Sequence, residues 1–177
     1  RHSVPAWYDS AQDLINDPQV NAVYIATPPA AHMEYTLLAA RAKKPVYVEK
    51  PMALDFAQCQ EMIRVCQEEG VPLFVAYYRR ALPRFLKIKQ LLEKGAIGQV
   101  RAVTCRYYRQ TLKIEAELPW RVQPQLAGGG LLLDVGSHTL DILDFLLGPI
   151  SQVSGLATNQ AGLYPAEDMV SAHFLFP

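Results

Sequence analysis

The chain has 177 residues, half of them hydrophobic and 19% charged, which is the composition of a globular protein large enough to bury a core. Its 17 basic and 17 acidic residues balance, so no net charge favours nucleic acid or an anionic membrane surface. We therefore expect a small-molecule ligand, and neither nucleic acid nor membrane as a partner.

The three cysteines predict neither a disulfide framework nor a zinc site, because their number is odd and no CxxC spacing occurs. This pattern favours a reducing cytoplasm. No run approaches the ~18 apolar residues of a membrane span. The first residues also do not form a basic segment followed by an apolar signal core. We therefore expect a cytoplasmic location.

The first half of the chain alternates predicted helices with short apolar strands. The predicted helices cover residues 9–16, 31–42, 56–69 and 83–94, and the predicted strands cover residues 22–26, 45–49 and 71–78. Asp55 and Gln58 form a capping box for the third helix, and Gly70 ends it. Apolar runs this short are typical of strands buried on both faces of a parallel sheet, so the alternation predicts βαβ units.

The pattern changes after Gly95. Residues 99–110 alternate and contain Val, Thr and Tyr, which predicts a long half-exposed strand. A polar loop, a glycine-rich turn and an apolar helix ending at Leu147 follow. Two further predicted strands cover residues 150–158 and 168–176. Long strands beside one helix predict an α+β region, so we place one domain at residues 1–97 and a second at residues 98–177.

An acid and a base stand together where the second predicted strand ends, in the sequence Glu49-Lys50-Pro51. In a doubly wound sheet, ligands bind beyond the carboxyl ends of the strands, so this pair can face a binding cleft. The alternative is a solvated ion pair, and the tripeptide alone favours neither interpretation. Adjacent strand residues point to opposite faces, so both charges reach one cleft only if the backbone bends. Pro51 is placed to bend it, through a trans or a cis bond.

Two other segments carry candidate binding residues. The turn "ATPPAAH" follows the preceding strand and would border the same crevice, although alone it is a proline-stiffened turn before a helix. Its position makes Thr27, Pro28 and His32 candidate cofactor-binding residues. The pair Trp120-Arg121 offers an aromatic face and a guanidinium that can bind phosphate or carboxylate.

Three of the polar residues in the apolar helix that follows the glycine-rich turn stand at a regular spacing. Asp134, His138 and Asp141 are spaced i, i+4 and i+7, which would place them on one face of the helix. Carboxylates and an imidazole among leucines must be paired or functional, because burying an unpaired charge is unfavourable. A satisfied core histidine is the alternative to a catalytic one. The stripe lacks a third and fourth ligand of fitting type, so no metal is predicted.

The order of five segments makes the chain resemble the Gfo/Idh/MocA family of nicotinamide-dependent oxidoreductases. These segments are "VYIATPPAAH", "VYVEKPMAL", "GAIGQVRAV", "PWR" and "GGGLLLDVGSHTLDILDFLLG". The resemblance extends across essentially the whole chain, and EKP followed by GGG and DxGxHxxD is its most specific part. It implies an α/β region, the C-terminal half of a Rossmann-like parallel sheet. Part of an α+β domain with an open-faced, mainly antiparallel sheet would follow.

The resemblance also implies roles for individual residues. Lys50, Asp134 and His138 would form the catalytic set, with NAD or NADP as the cofactor. The residues implied to border the cofactor are Thr27, Pro28, His32, Glu49, Lys50, Trp120 and Arg121. The implied reaction moves a hydride between NAD(P) and a secondary alcohol of a sugar, inositol or related polyol. His138 would accept the hydroxyl proton, Asp134 would orient it or bind a substrate hydroxyl, and Lys50 would stabilise the alkoxide or relay the proton.

The sequence departs from the family at its beginning, because a complete member starts with a strand and a GxGxxG turn that do not occur here. We therefore expect a chain that begins near the third strand of the nucleotide domain, stops before the second sheet is complete, and binds dinucleotide poorly alone. An NAD-dependent glycosidase on the same scaffold and a non-enzymatic binding or assembly fragment remain as alternatives. Family members often assemble through the open sheet face, so "VRAVTCRYY" is a candidate surface for a homo-oligomer.

Overall fold

The structure is a computed structural model that describes residues 4–110, 114 and 117–177. In chain order the helices and strands are α1 (Ala11–Asn16), β1 (Val23–Ile25), α2 (His32–Arg41), β2 (Val46–Val48), α3 (Phe56–Glu69), β3 (Leu73–Val75), α4 (Pro83–Glu93), α5 (Pro124–Ala127), α6 (Ser137–Leu147), β4 (Gln152–Thr158) and β5 (Met169–Leu175). Shorter 3₁₀ turns cover Pro29–Ala31, Tyr78–Ala81 and Trp120–Val122, and a π-helical turn covers Leu132–Gly136.

The chain divides into two compact units. The first contains Arg1–Ala76 and Pro124–Gly128, and the second contains Tyr77–Gln123 and Gly129–Pro177. This division comes before α4, whereas the domain boundary expected from the sequence follows that helix. Helix α4 belongs with the second unit because it packs on α6, where Lys89 Nζ donates a hydrogen bond to the carbonyl oxygen of Phe145 at 2.8 Å.

The predicted start and end of α3 are confirmed. Asp55 Oδ1 accepts a hydrogen bond from the Gln58 amide at 2.8 Å, and Gln58 Oε1 in turn accepts one from the amide of Leu54 at 3.3 Å. Gly70 ends the helix in the left-handed conformation, with φ of 69°, where a residue without a Cβ is favoured. Helix α4 likewise begins with Pro83 in its first turn, where the missing proline N–H costs nothing.

The strands of the first unit form a parallel sheet in the order β1, β2, β3, as the alternation of strands and helices predicts. Val23 lies opposite Val46, and Ile25 lies opposite Val48. These four valine and isoleucine side chains are buried against helices α2 and α3 and form the core of the unit. The βαβ connections therefore bring the carboxyl ends of β1 and β2 side by side.

The opposite face of this sheet differs from the prediction of strands buried on both faces. Tyr24, Tyr47 and Phe74 stand in register across the three strands, and their exposed fractions are 56%, 41% and 56%. Helices α2 and α3 cover the valine face, and the aromatic face stays exposed. The apolar runs suggested two buried faces because the tyrosines and phenylalanine are themselves strand-forming residues.

The second unit contains an antiparallel pair, β4 and β5, in which Gln152 lies opposite Leu175 and Thr158 lies opposite Met169. The prediction of a strand over residues 99–110 is wrong, because no strand is assigned to these residues and almost all of them are exposed. A strand needs a partner for its backbone groups. Residues 98–108 instead border an open cavity of about 1210 Å³ together with parts of α6 and β5.

The two sheets, one parallel and one antiparallel, together confirm the predicted fold class. Among the helices of the described residues, none is long and apolar enough to cross a membrane.

Candidate active site

The acid at the end of β2, Glu49, is held by two hydrogen bonds. The Tyr24 hydroxyl donates a hydrogen bond to Glu49 Oε1 at 2.5 Å, and Glu49 Oε2 accepts one from the Lys50 amide at 3.2 Å. The Lys50–Pro51 peptide bond is cis. Glu49 and Lys50 are both half-buried. The carboxylate of Glu49 is thus fixed by the protein itself and stays within reach of solvent.

The titration of Tyr24 reports its hydrogen bond to Glu49. Its ring stacks on Tyr47 with the centroids 5.2 Å apart, which orients the hydroxyl toward the end of β2. The hydrogen bond to Glu49, with smaller contributions from burial and from the Glu49 charge, raises the pKa of Tyr24 from 10.0 to about 12. The phenol therefore keeps its proton, and its role as a donor, through the whole neutral range.

We predict that alkaline titration followed by phenolate absorbance will detect this hydrogen bond. One tyrosine should ionise near pH 12, and the Tyr24→Phe variant should lose that step. The pKa of Tyr24 is higher in the folded than in the unfolded state. The hydrogen bond to Glu49 therefore stabilises the fold below about pH 10, and this stabilisation is lost as the pH rises through about 12. In Glu49→Gln the step should move back toward the usual tyrosine range, and an unchanged step there would contradict the assignment.

His32 connects the turn after β1 to the turn after β2. Its Nε2 lies 2.8 Å from the carbonyl oxygen of Thr27, and its Nδ1 lies 3.0 Å and 3.2 Å from the carbonyl oxygens of Pro51 and Met52. The side chain has no exposed surface. The prediction that His32 itself borders a cofactor does not fit this geometry, because both ring nitrogens face backbone oxygens. His32 therefore contacts the backbone of both turns.

Thr27 and Pro28 are half-buried in the turn after β1. The Thr27 hydroxyl is buried and has no hydrogen-bond partner among the described residues. A buried hydroxyl normally has such a partner, so this one fits a polar group supplied by a ligand at the carboxyl end of the sheet. Thr27, Pro28, Glu49 and Lys50 follow the carboxyl ends of β1 and β2, where a doubly wound sheet binds its ligand.

The second unit brings together three of the predicted site residues. The Arg121 guanidinium lies over the Trp120 ring, 4.3 Å from its centroid, and Arg121 Nε lies 3.5 Å from Asp134 Oδ2. Arg121 is exposed and the Asp134 side chain is only 21% exposed, so the cation faces solvent and the carboxylate is mostly covered. Arg121 is therefore placed both to balance the charge of Asp134 and to meet an anionic ligand.

His138 is buried, with 6% of its surface exposed, near the start of α6. Tyr77 and Tyr78 present their rings nearly perpendicular to the imidazole, with centroids 5.8 Å and 5.4 Å from it. Such edge contacts fix the plane of the ring. Tyr78 is itself 55% exposed, so the cluster of rings around His138 extends to the protein surface at this tyrosine.

Asp141, the third member of the polar stripe, has a different environment. Arg80 Nε donates to Asp141 Oδ1 at 2.6 Å, and Arg80 Nη2 donates to Asp144 Oδ2 at 3.0 Å. Burial raises the pKa of Asp141, and the Arg80 charge opposes this by favouring the carboxylate. Asp141 therefore forms an ion pair that fixes the segment Tyr78–Ala81 to α6, and thereby holds the tyrosines beside His138.

The expectation that the stripe lies on one face of a continuous α-helix is wrong. Asp134 belongs to the π-helical turn Leu132–Gly136, and the regular α-helix begins only at Ser137. A π-turn changes the rotation per residue, so an i, i+4, i+7 spacing no longer describes one stripe.

The glycine-rich turn before this helix allows a close backbone approach, as its sequence suggests. The amide of Gly130 donates to both carboxylate oxygens of Glu167 at 2.8 Å. A Cβ on Gly130 would lie 2.5 Å from the Glu167 carbonyl oxygen, which leaves no room for a side chain. This turn therefore has a structural partner within the second unit.

The predicted residues thus form two groups, one in each unit. Thr27, Pro28, His32, Glu49 and Lys50 come together in the first unit, and Trp120, Arg121, Asp134 and His138 belong to the second. Three residues of this site were not predicted from the sequence: Tyr77 and Tyr78, whose rings contact His138, and Arg80, which pairs with Asp141. Their position directly after β3 was an available signal, because the ends of parallel strands carry functional side chains. Within the described part of the chain, no group of three or more metal-binding side chains is assembled.

Comparison with known proteins yields two consecutive family matches. Residues 2–77 match the oxidoreductase family with an NAD-binding Rossmann fold, GFO/IDH/MocA. Residues 85–177 match the GFO/IDH/MocA C-terminal domain. The two matches follow one another in the order expected from the motifs.

Individual relatives are oxidoreductases. Oxidoreductase P35 of Formosa agariphila is 38% identical over 156 residues, which cover 86% of this chain and 49% of that protein. The trans-1,2-dihydrobenzene-1,2-diol dehydrogenase of Danio rerio is 36% identical, with 81% of this chain and 41% of that protein covered. A solved levoglucosan dehydrogenase in complex with NADH and levoglucosan superposes with a TM-score of 0.82 at 27% identity, covering 96% of this chain and 48% of that one. The chain therefore spans about half the length of the relatives it matches.

Proposed function

This chain belongs to the GFO/IDH/MocA family of oxidoreductases, and on that premise we propose that its protein transfers a hydride between NAD(P) and a hydroxyl-bearing carbon of a sugar or related polyol. The observation that carries the proposal is the tandem match to the NAD-binding domain and the C-terminal domain of this family. The placement of Thr27 and Lys50 at the carboxyl ends of neighbouring parallel strands supports it, because dinucleotides bind there in doubly wound sheets.

We assign the binding of the cofactor's nicotinamide end to the residues that follow β1 and β2. The Thr27 hydroxyl can donate to a polar group of the cofactor, since the described protein gives it no partner. Glu49 is held by Tyr24, so its carboxylate keeps a fixed position beside Lys50. Arg121, stacked on Trp120, can meet a phosphate or carboxylate. When bound, NAD(P) supplies the hydride acceptor of the reaction.

In the proposed reaction, side chains of the protein carry out the proton transfer. His138 accepts the hydroxyl proton of the substrate, because histidine is the side chain that exchanges protons near neutral pH. The rings of Tyr77 and Tyr78 keep its imidazole plane fixed and shield it from water. Asp134 orients His138 or accepts a hydrogen bond from a second substrate hydroxyl. Lys50 stabilises the negative charge that forms on the substrate oxygen, or relays its proton.

The relatives indicate the class of alcohol. One is named for a dihydrobenzene diol, and another binds levoglucosan, an anhydrosugar. Both compounds carry secondary hydroxyl groups on a six-membered ring. We propose a cyclic secondary alcohol with neighbouring hydroxyls as the substrate of this protein, since a second hydroxyl gives Asp134 something to bind.

A substrate panel tests the proposal. The protein, with every residue that its gene encodes, is incubated with NAD⁺ or NADP⁺ and with anhydrosugars, aldoses, inositols or cyclic diols, while reduced nicotinamide is followed by absorbance. We expect reduction with at least one cyclic polyol and none with acyclic primary alcohols. Release of nitrophenol from nitrophenyl glycosides without net cofactor reduction would favour the glycosidase alternative instead. No reaction with any hydroxyl compound, despite cofactor binding, would contradict the proposal.

A further inference from the structure

We propose that Tyr78 is a specificity-determining residue, on whose exposed ring the apolar face of a cyclic polyol packs while a hydroxyl of that polyol bonds His138. We call this ring the Tyr78 platform. Its centroid lies 5.4 Å from that of the imidazole, and 55% of the residue is exposed. Both residues belong to the second unit. The proposal rests on the proposed function, since it takes the role of His138 and the class of substrate from there.

The turn that carries Tyr78 is fixed, which sets this ring apart from the single exposed aromatic side chains that are common on proteins. Arg80, in the same 3₁₀ turn, donates hydrogen bonds to Asp141 and Asp144 on α6. Its guanidinium also lies over the Phe145 ring, 5.6 Å from the centroid. A surface that is already held in place loses little conformational freedom when a ligand packs on it, and this favours binding.

The orientation of the ring leaves it open to a ligand. The planes of Tyr78 and His138 stand 78° apart. A perpendicular contact of this kind occupies the edge of one ring and one face of the other, so at least one face of Tyr78 is clear of the imidazole. Tyr77 meets the imidazole in the same way, with a centroid distance of 5.8 Å, but it is half-buried. Tyr78 therefore presents the larger open surface of the two.

The distances allow one small ring to contact both residues. The centre of a six-membered polyol ring lies roughly 3 Å from its hydroxyl oxygens, and a hydrogen bond to an imidazole nitrogen adds about 2.8 Å. With the radius of the imidazole included, the polyol centre lies about 7 Å from the His138 centroid. A ring packed on Tyr78 lies about 5 Å from its centroid. Sides of about 7 Å and about 5 Å close a triangle on the observed 5.4 Å between the two residues.

The chemistry of the tyrosine face selects one class of polyol. This face carries partial negative charge, and the C–H bonds beside hydroxyl oxygens carry partial positive charge. A six-membered ring with equatorial hydroxyls presents only C–H bonds on its faces, so it packs on the tyrosine without burying a hydroxyl. An axial hydroxyl on the covered face would lose its water and gain no hydrogen bond there. Tyr78 therefore favours cyclic polyols with equatorial hydroxyls on that face over acyclic ones.

Proton spectra of a bound polyol test the contact without turnover. The protein, with every residue that its gene encodes, is mixed with reduced cofactor and with scyllo-inositol, whose hydroxyls are all equatorial. Protons that lie over an aromatic face are shifted upfield, so the C–H signal should move upfield with the wild-type protein and not with Tyr78→Leu. Tyr78→Phe keeps the ring and should keep the shift. The same shift in Tyr78→Leu, its loss in Tyr78→Phe, or no binding of scyllo-inositol to the wild-type protein would overturn the platform.

Two matched variants separate the platform from indirect effects. Tyr77→Leu removes the other ring that contacts His138 and should leave the upfield shift in place. Tyr108→Leu removes a tyrosine that is 87% exposed and should change neither the shift nor the dissociation constant. In calorimetry, Tyr78→Leu should weaken the binding of scyllo-inositol by about tenfold. An equal loss of shift and affinity in Tyr77→Leu would show that the effect passes through His138, and would overturn the platform.

Turnover distinguishes the platform from the proposed function. With a cyclic polyol that the wild-type protein oxidises, Tyr78→Leu should raise KM by about tenfold and change kcat less. An unchanged KM in Tyr78→Leu would overturn the platform and leave the proposed function standing. Binding of scyllo-inositol with an upfield shift that depends on Tyr78, without any hydride transfer, would support the platform and count against the proposed function alone.

Discussion

Replacing Lys50 with alanine is expected to lower kcat for alcohol oxidation by roughly two to four orders of magnitude. In the proposed mechanism, Lys50 stabilises the charge that forms on the substrate oxygen in the transition state, or relays its proton, and alanine can do neither. The cofactor should bind nearly as well, because Thr27 and Glu49, the other proposed cofactor contacts at the ends of these strands, remain in place. Steady-state kinetics in the protein with all its encoded residues, together with cofactor titration by fluorescence, measures both quantities.

Two variants control this prediction. Lys87→Ala removes an exposed lysine from α4 and should leave kcat unchanged. Lys50→Arg keeps the positive charge, and the guanidinium that it introduces does not release a proton. Recovery of activity in the arginine variant would assign charge stabilisation to Lys50, and continued loss would favour the proton relay. Wild-type turnover in Lys50→Ala would remove this lysine from the mechanism.

Replacing His138 with asparagine should have the second large effect, a loss of kcat of about two to four orders of magnitude. A base must be unprotonated to act, so the wild-type rate should rise with pH on the acidic side of its profile. Asparagine does not titrate, and therefore this rise should disappear in the variant. The pH dependence of kcat and of kcat/KM, measured in both proteins, checks the prediction.

The matched control for this variant is His173→Asn. His173 is exposed on β5, so its replacement should leave the acidic limb and the rate unchanged. Asparagine at position 138 is smaller than the imidazole that Tyr77 and Tyr78 enclose, so thermal unfolding must accompany the kinetics. A folded His138→Asn variant with an unaltered acidic limb would assign the proton to another base.

The features that the sequence predicted correctly are local. The capping of α3 depends on Asp55, Gln58 and Gly70, which lie within one helix and its ends, so their spacing alone specifies them. The parallel sheet follows from the alternation of short apolar runs with helices. The strand predicted at residues 99–110 is absent from the structure. Alternating polar and apolar residues indicate which side chains would be exposed, but a strand also needs a hydrogen-bonded partner, which no local pattern reveals.

The candidate site likewise combines local features, which the sequence reveals, with contacts between distant residues, which it does not. Lys50 was identifiable because a charged residue at the end of a buried strand is unusual. The pairing of Arg80 with Asp141 joins residues 61 positions apart, and no periodicity connects them. The role of His32 depends on which carbonyl oxygens surround a ring, which only coordinates reveal. The π-turn before α6 also displaced Asp134 from the stripe on which the spacing had placed it.

Isotope transfer is the most direct test of the central claim, that this protein moves a hydride from a carbinol carbon to NAD(P). A cyclic polyol found active in the substrate panel is prepared with deuterium on the carbon that is oxidised. Mass spectrometry of the reduced cofactor should then show one deuterium, and the Lys50→Ala variant should form that product far more slowly. Reduced cofactor without deuterium, or cleavage of the substrate with the cofactor returned oxidised, would contradict the claim.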